Sequence, residues 1–425
     1  MKKIVLIILY SALNLFLFAE EITLFQCIDA TLETSYKIKK AEQNVEIYRT
    51  EHLNRLFDFV PNITASANAI HDKEGNEVGT NNISISENLH LFDERFPNYK
   101  LSSLDYQKEM LTFRQQKQLS VLEILQLYSE ILILNESLDY YLNSAEFYNN
   151  QTLFIEEMMK TGKRTKLDLY SAQIAQKNAE LNVTKTENSI AKKLLDLSQK
   201  MGKEINRETI FSNINKLLPK KIGTISYENN LDWKISNFTK KEREIEKNIS
   251  LKRIFPDLYL NGNYNWRNNK YWKDAEQIYD NEGNYIIKDR ETKYWEVSLN
   301  ISYSLGSFAQ KFNNYSISKR RLKQEEYSSL HLQQELQKEL AIKKLDLELK
   351  QDEIKISTQK LELAEKKLIL SQEKFKFGLI NFLDFKTTFN ETLNARIELS
   401  QTKYDYIIAF AEWQIATGEK ILGKY

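Results

Sequence analysis

The sequence predicts a mainly α chain with a small β-barrel part. Long helices stand as staves of a water-filled cylinder, four strands lie in a membrane barrel, and one helix–hairpin–helix unit is written twice. Three observations carry this. Glycine and proline number only 11 and 4 in 425 residues, against roughly 7% and 5% in ordinary chains, so the elements must be long. One helical region carries two apolar seven-residue series. Four short segments alternate apolar and polar residues with period two.

In chain order, Lys2 and Lys3 precede an apolar run from Ile4 to Phe18, and Ala19 offers a cleavage point. Residues 1–19 thus read as an export signal, too short to span a membrane as a helix. Loss of Lys2 and Lys3 leaves 58 basic against 59 acidic residues. Such a balance offers no net field for nucleic acid. Cys27 is the single cysteine, so neither an internal disulfide nor a thiolate cluster can form. Gln26 is a poor neighbour for lipidation, and a buried, inert thiol is expected. His52, His71, His90 and His331 are scattered without ligand spacing. The chain has no phosphate loop, nucleophile elbow or HExxH motif. No enzyme activity, metal or cofactor is expected.

Pro97 suits the first turn of a helix, and neither Gly nor Pro follows until after Thr161. At 1.5 Å per residue that helix is roughly 95 Å long. Further breaker-free runs are Thr165–Met201, Phe308–Phe377 and Leu379–Thr417. In the third run Leu340, Leu347, Ile354, Leu361, Leu368 and Phe375 recur every seven residues, as do Ile342, Leu349, Ile356, Leu363, Leu370 and Phe377. A seven-residue apolar repeat signals helix–helix pairing. The two series lie two residues apart, about 200° round the helix, so they mark opposite flanks. A two-stranded rod needs one seam; a stave needs two.

The strands come in two hairpins. Leu258, Leu260, Gly262, Tyr264 and Trp266 alternate with Asp257, Tyr259, Asn261, Asn263 and Asn265. Trp295, Val297, Leu299, Ile301, Tyr303 and Leu305 alternate with Glu296, Ser298, Asn300, Ser302 and Ser304. Their length and alternation suit membrane-barrel strands, with Tyr264, Trp266, Trp295 and Tyr303 as interfacial anchors. The first hairpin is weaker: Ile63, Ala65, Ala67 and Ala69, then Ile83, Ile85, Leu89 and Leu91, with Glu87 interrupting the apolar face near a rim or beside a partner. Four strands cannot close a barrel, and an open sheet cannot sit in lipid with unpaired edges. A half-buried soluble sheet alternates in the same way; if the strands lie in a membrane, several copies must pool them, most simply by cyclic symmetry.

The repeat shows in offsets. Gly162 to Gly378, Asp168 to Asp384 and Gly202 to Gly418 are each 216 residues apart. Leu91 to Leu305 is 214 and Pro61 to Pro256 is 195, so the second hairpin loop is longer, polar and aromatic. The first unit is expected over residues 20–210, with strands at about 61–72 and 81–92. A linker over 211–225 leads to the second unit over 226–425, with strands at about 256–267 and 294–306.

In this ordered set the sequence resembles the TolC family of outer-membrane efflux proteins. The resemblance covers nearly the whole mature chain. It rests on the export signal, the duplicated order, the Gly162 and Gly378 motifs each forty residues before a second Gly, and the Pro-led strand starts "VPNITASA" and "FPDLYLNG". It implies a homotrimer with a twelve-stranded β-barrel in outer-membrane lipid and a twelve-helix tunnel in the periplasm. Partners would be a periplasmic adaptor (membrane fusion) protein and an inner-membrane RND or ABC pump. The chain would be the passive exit duct of a tripartite efflux pump, with multidrug resistance as the outcome, or of a type I secretion system for polypeptides. The alternative is a periplasmic coiled-coil adaptor or scaffold without a membrane barrel. Adaptors carry Gly-rich β-domains between their helix arms, and Gly is scarce here.

The resemblance also assigns residues. Gly162, Lys163, Arg164 and Thr165, and Gly378, Leu379, Ile380 and Asn381, match turns between paired helices at the periplasmic tip, where the adaptor touches. Asp384 matches a pore-facing carboxylate at the constriction, a device for cation preference. Thr387 stands where relatives often have a second Asp, and Ile380 where they often have a basic residue, which puts a salt-bridge lock in doubt. Asp168 reads as a pore charge, a solvated helix charge or an N-terminal cap.

Overall fold

The computed structural model describes residues 21–71, 77–90, 92–219, 226–270, 278–279, 285–286 and 290–425. The expected export signal, Leu91, Gly223 and most of the second hairpin loop lie outside the described residues. The α-helices are α1 (Leu24–Thr34), α2 (Tyr36–Phe57), α3 (Arg95–Lys160), α4 (Lys166–Met201), α5 (Leu231–Lys252), α6 (Phe308–Lys376) and α7 (Phe382–Thr417). The strands are β1 (Glu21–Ile22), β2 (Asn62–His71), β3 (Glu77–His90), β4 (Ile210–Phe211), β5 (Asp257–Lys270), β6 (Ile278–Tyr279), β7 (Tyr285–Ile286) and β8 (Arg290–Ser302). The order α2-β2-β3-α3-α4 thus recurs as α5-β5-β8-α6-α7. Helices α3 and α6 have 66 and 69 residues, about 100 Å each at 1.5 Å per residue.

Contacts divide the chain into two units. The first holds the residues up to Gln43, Leu111–Lys234 and Leu332–Tyr425. Its main core joins Ile124, Leu125, Tyr128 and Ile131 of α3 to Leu194 and Leu197 of α4, Tyr404 and Ile407 of α7, and Cys27 and Ile28 of α1. Each such side chain contributes about 1.5–3 kcal/mol by leaving water. The Cys27 thiol is fully buried, and burial pushes it up to about 12, so it stays an unreactive thiol. Along α6, Leu340 and Leu347 bury against Tyr406 and Trp413 of α7. Between those helices run surface ion pairs, among them Lys343–Glu412 and Arg396–Glu365, worth under about 1 kcal/mol each.

The expected linker over 211–225 is not a free connector at its start. Ile210 and Phe211 pair in parallel with Glu21 and Ile22, Phe211 and Ile214 are buried, and the Tyr128 hydroxyl lies 2.9 and 2.8 Å from the carbonyl oxygens of Ile22 and Ser212. Leu217 and Leu218 pack against the same core, so four apolar side chains dock the stretch.

The second unit holds Asn44–Met110 and Ile235–His331. Its sheet is antiparallel, in the order β2-β3-β5-β8. The strand expected to reach 306 stops at Ser302, and Leu305 lies in a 3-10 turn. The cause is on the partner strand: Asp257 pairs with Ser302, and the preceding Pro256 has no N–H to extend the ladder. Strand β3 starts at Glu77, earlier than expected, because pairing with β2 continues past the apolar alternation. Glu87 has a partner: its carboxylate meets Arg95 at 2.7 Å, and Arg95 also binds Asp93 at 2.6 Å and donates to the Asp58 carbonyl oxygen at 3.1 Å.

Candidate functional site: hairpin tips, bare helix flanks and sheet faces

At the first tip α3 ends in a Schellman cap. Gly162 has φ +74°, the Lys163 N–H donates to the Met158 oxygen at 2.9 Å, and the Gly162 N–H donates to the Met159 oxygen at 3.0 Å. Thr165 then caps α4. Its hydroxyl oxygen accepts from the Asp168 N–H at 3.2 Å, while the Asp168 carboxylate accepts from the Thr165 N–H and hydroxyl at 3.1 and 2.8 Å. This is a capping box with Thr165 as N-cap and Asp168 at N3, the helix N-terminal role expected for Asp168.

The second tip repeats the backbone with different side chains. Gly378 has φ +73°, with Leu379 N–H to Lys374 O at 2.9 Å and Gly378 N–H to Phe375 O at 3.0 Å. The Asn381 side-chain oxygen accepts from the Asp384 N–H at 2.8 Å. A Cβ at either Gly would meet nothing within 4 Å, so these glycines are required by their left-handed backbone and not by crowding. The repeated Gly-x-x-x-x-Leu-Asp pattern is therefore C′ glycine to N3 carboxylate across a tight αα-turn. Asp384 is exposed, and its carboxylate engages no donor among the described residues. The Thr387 hydroxyl donates to the Leu383 carbonyl oxygen at 2.9 Å.

The tips are tied together inside the chain by aromatics. The Phe375 and Phe385 rings stack with centroids 4.9 Å apart, and the Arg164 guanidinium lies 4.8 Å over Phe375. Phe147 stacks on Phe389 at 4.2 Å, and the Tyr148 hydroxyl donates to Asn390 at 2.8 Å. Phe375, Phe382 and Phe385 are all but fully buried, beside Ala172, Ala175 and Ala179 of α4. Arg164 and Ile380 are half-buried, whereas Lys163 and Leu379 project into solvent. Leu167, Phe377 and Leu383 project too, at 74%, 81% and 60% exposure. Sequence reasoning did not single out this cluster, because its two halves, before residue 180 and after residue 374, lie about 200 residues apart in the chain.

Helix α6 has one flank filled and one bare. Leu340, Leu347 and Phe375 are buried, whereas Ile342, Leu349, Ile356, Leu363, Leu370 and Phe377 are exposed by 46–81%. Helix α4 carries a second bare series every seven residues: Leu167, Ile174, Leu181 and Leu195, all 49% exposed or more. Asn188 interrupts it, which hid it from a pattern search.

The sheet has two chemically distinct faces. Register aligns Ile63, Ile85, Tyr264 and Trp295 in one row across four strands, and Ile83, Trp266 and Lys293 in the next. Leu89, Leu260 and Leu299 form another row. Leu260, Tyr264, Trp295, Val297, Leu299 and Ile301 are exposed. The other face is mainly Asn, Ser and Thr, with Tyr259, Tyr294 and Glu296 among them. Tyr303 lies beyond the strand end, its ring 6.5 Å from Phe308 and under the Lys311 ammonium. It therefore does not share the row-by-row face of Tyr264 and Trp295, because β8 has already ended. Strands β2 and β8 are paired on one side only. No described helix is long and apolar enough to cross a membrane, and the described residues hold no group of three or more metal-ligand side chains.

A family model for outer membrane efflux proteins matches residues 27–203 and 240–419. No curated protein matches the chain. Among solved structures, CusC aligns at 15% identity over 93% of this chain and 92% of its own, with a TM-score of 0.77. The outer membrane protein VceC of Vibrio cholerae aligns at 14% over 94% and 96%, with a TM-score of 0.74. The outer membrane channel CmeC of Campylobacter jejuni aligns at 12% over 95% and 87%, with a TM-score of 0.73. At such identity the likeness establishes the fold.

Proposed function

The chain belongs to the outer membrane efflux protein family, an outer-membrane channel and not a periplasmic adaptor, and from that premise we propose how its parts work. Three copies form a passive duct. Their strands pool into one closed barrel with the Tyr264–Trp295 face toward lipid, and their long helices line a periplasmic tunnel. The observation that carries this reading is incompleteness. One chain leaves an apolar flank of α6 bare, a second bare flank on α4, and a sheet with two open edges and an oily face. Each is costly in water and is satisfied by another copy. Energy for transport comes from the pump.

The tips meet the adaptor. Gly162, Thr165, Gly378 and Asn381 build the turns, and Arg164 and Ile380 hold them together. The surface left for a partner is Lys163 at one tip and Leu379 at the other, flanked by Leu167, Phe377 and Leu383. The two tips thus offer one basic and one apolar groove. An RND or ABC pump completes the path, carrying drugs or polypeptides. Asp384, with its carboxylate free of intrachain donors, lines the constriction, with Thr387 one turn further along. Asp384→Ala in planar bilayers should lower cation preference and relieve block by divalent ions added from the tip side. Unchanged selectivity and unchanged block would remove Asp384 from the constriction.

A further inference from the structure

The polar face of the sheet carries one carboxylate in its middle. Register puts Asn62, Ser86, Asn263 and Glu296 in one row across all four strands. The adjacent rows hold Thr64, Ser84, Asn265 and Tyr294 on one side, and Asn88, Asn261 and Ser298 on the other. All of these are neutral. Glu296 is exposed, and its carboxylate meets no donor among the described residues. Its counterpart in the first hairpin, 214 residues earlier, is Asn82, so this charge occurs once per chain.

We propose that Glu296 sets a cation preference in the outer-membrane part of the duct, separate from Asp384 at the tips. This rests on the reading that three copies pool their strands with the polar face inward. Twelve strands about 4.8 Å apart and tilted about 40° close a barrel roughly 24 Å across, which puts three Glu296 carboxylates about 8 Å from its axis. The Debye length decides whether they matter: it is about 30 Å at 0.01 M salt and about 3 Å at 1 M. Three unit charges at that distance in water raise the axial cation concentration about sevenfold at 0.01 M and only about 1.2-fold at 1 M. That figure is for the Glu296 carboxylates taken alone: the rows next to them are neutral, and the nearest other charge in register on this face is Arg267, two rows away.

The test uses the full-length protein in planar bilayers under salt gradients. Glu296→Gln should lower the cation-to-anion permeability ratio severalfold near 0.01 M and leave it nearly unchanged near 1 M. Adding Asn263→Glu to Glu296→Gln returns a carboxylate to the same row, and should restore the ratio. Asp384→Ala should alter divalent block from the tip side and Glu296→Gln from the barrel side only. A low-salt ratio unmoved by Glu296→Gln, or not restored by Asn263→Glu, overturns the assignment and leaves the duct intact. A wild-type protein that forms no channel overturns both.

Discussion

Replacing Phe375 by Ala removes the ring on which the two tips converge. Phe375 is 3% exposed, stacks on Phe385 at 4.9 Å and carries Arg164 at 4.8 Å. Truncating a buried Phe costs about 3–5 kcal/mol, including the cavity it leaves. The stack accounts for about 0.5–1.5 kcal/mol of that, and the half-exposed cation–π contact for about 0.5–1 kcal/mol. Phe375→Leu keeps most of the apolar volume, so it should lose about 1–2.5 kcal/mol, chiefly the two aromatic contributions. Both losses are local, because the cluster is separate from the main core around Tyr128. Amide exchange on the trimer should therefore show the tip segments from Phe147 to Thr165 and from Phe375 to Asn390 opening faster, more in Ala than in Leu, with the Tyr128 region unchanged. A double-mutant cycle with Arg164→Ala should give a coupling of about 0.5–1 kcal/mol. Unchanged exchange at the tips in Phe375→Ala, or a cycle with no coupling, would refute the clasp.

Three other substitutions have clear signs. Gly378→Ala strains only a left-handed backbone, at about 1–2 kcal/mol. Gly418→Ala has the same φ problem, and its Cβ would also fall 2.0 Å from the Asn229 carbonyl oxygen, so thermal melts should rank Gly418→Ala the more destabilised. The hydrogen bond from Lys200 to Glu123 at 2.7 Å holds the Glu123 carboxyl below the usual range. Its folded-state pKa is depressed, so its stabilisation is present at neutral pH and lost as pH falls through that value. Lys200→Met should cost well under 1 kcal/mol near neutrality, given 43% exposure of the Glu123 side chain. The gap to wild type should vanish in acid, as melts across pH would show.

The fold was legible where one physical rule dominates. Few breakers force long helices, and of the two apolar series on α6 the chain itself fills one and leaves the other bare. Alternation gives the four strands one oily and one polar face. What escaped depended on partners far along the chain. Residues 211–225 read as a linker because Phe211, Ile214, Leu217 and Leu218 follow neither a helix nor a strand period, and only the core around Tyr128 and the strand from Glu21 give them a place. The end of β8 is fixed by Pro256 on another strand. The tip glycines could be read from the repeat, but the Phe147–Phe375–Phe385–Phe389 cluster could not, since aromatics at such separations have no periodicity. The α4 flank was masked by Asn188 and by the small Ala172, Ala175 and Ala179 on its buried side.

The most direct measurement is on the assembly itself. Wild-type protein extracted from the outer-membrane fraction should run as a trimer on a detergent gel before boiling and as a 50.2 kDa chain before cleavage of any signal, or slightly less after it, once heated. The same trimer should conduct in a planar bilayer. A soluble monomer in the periplasmic fraction, silent in bilayers, would contradict the account.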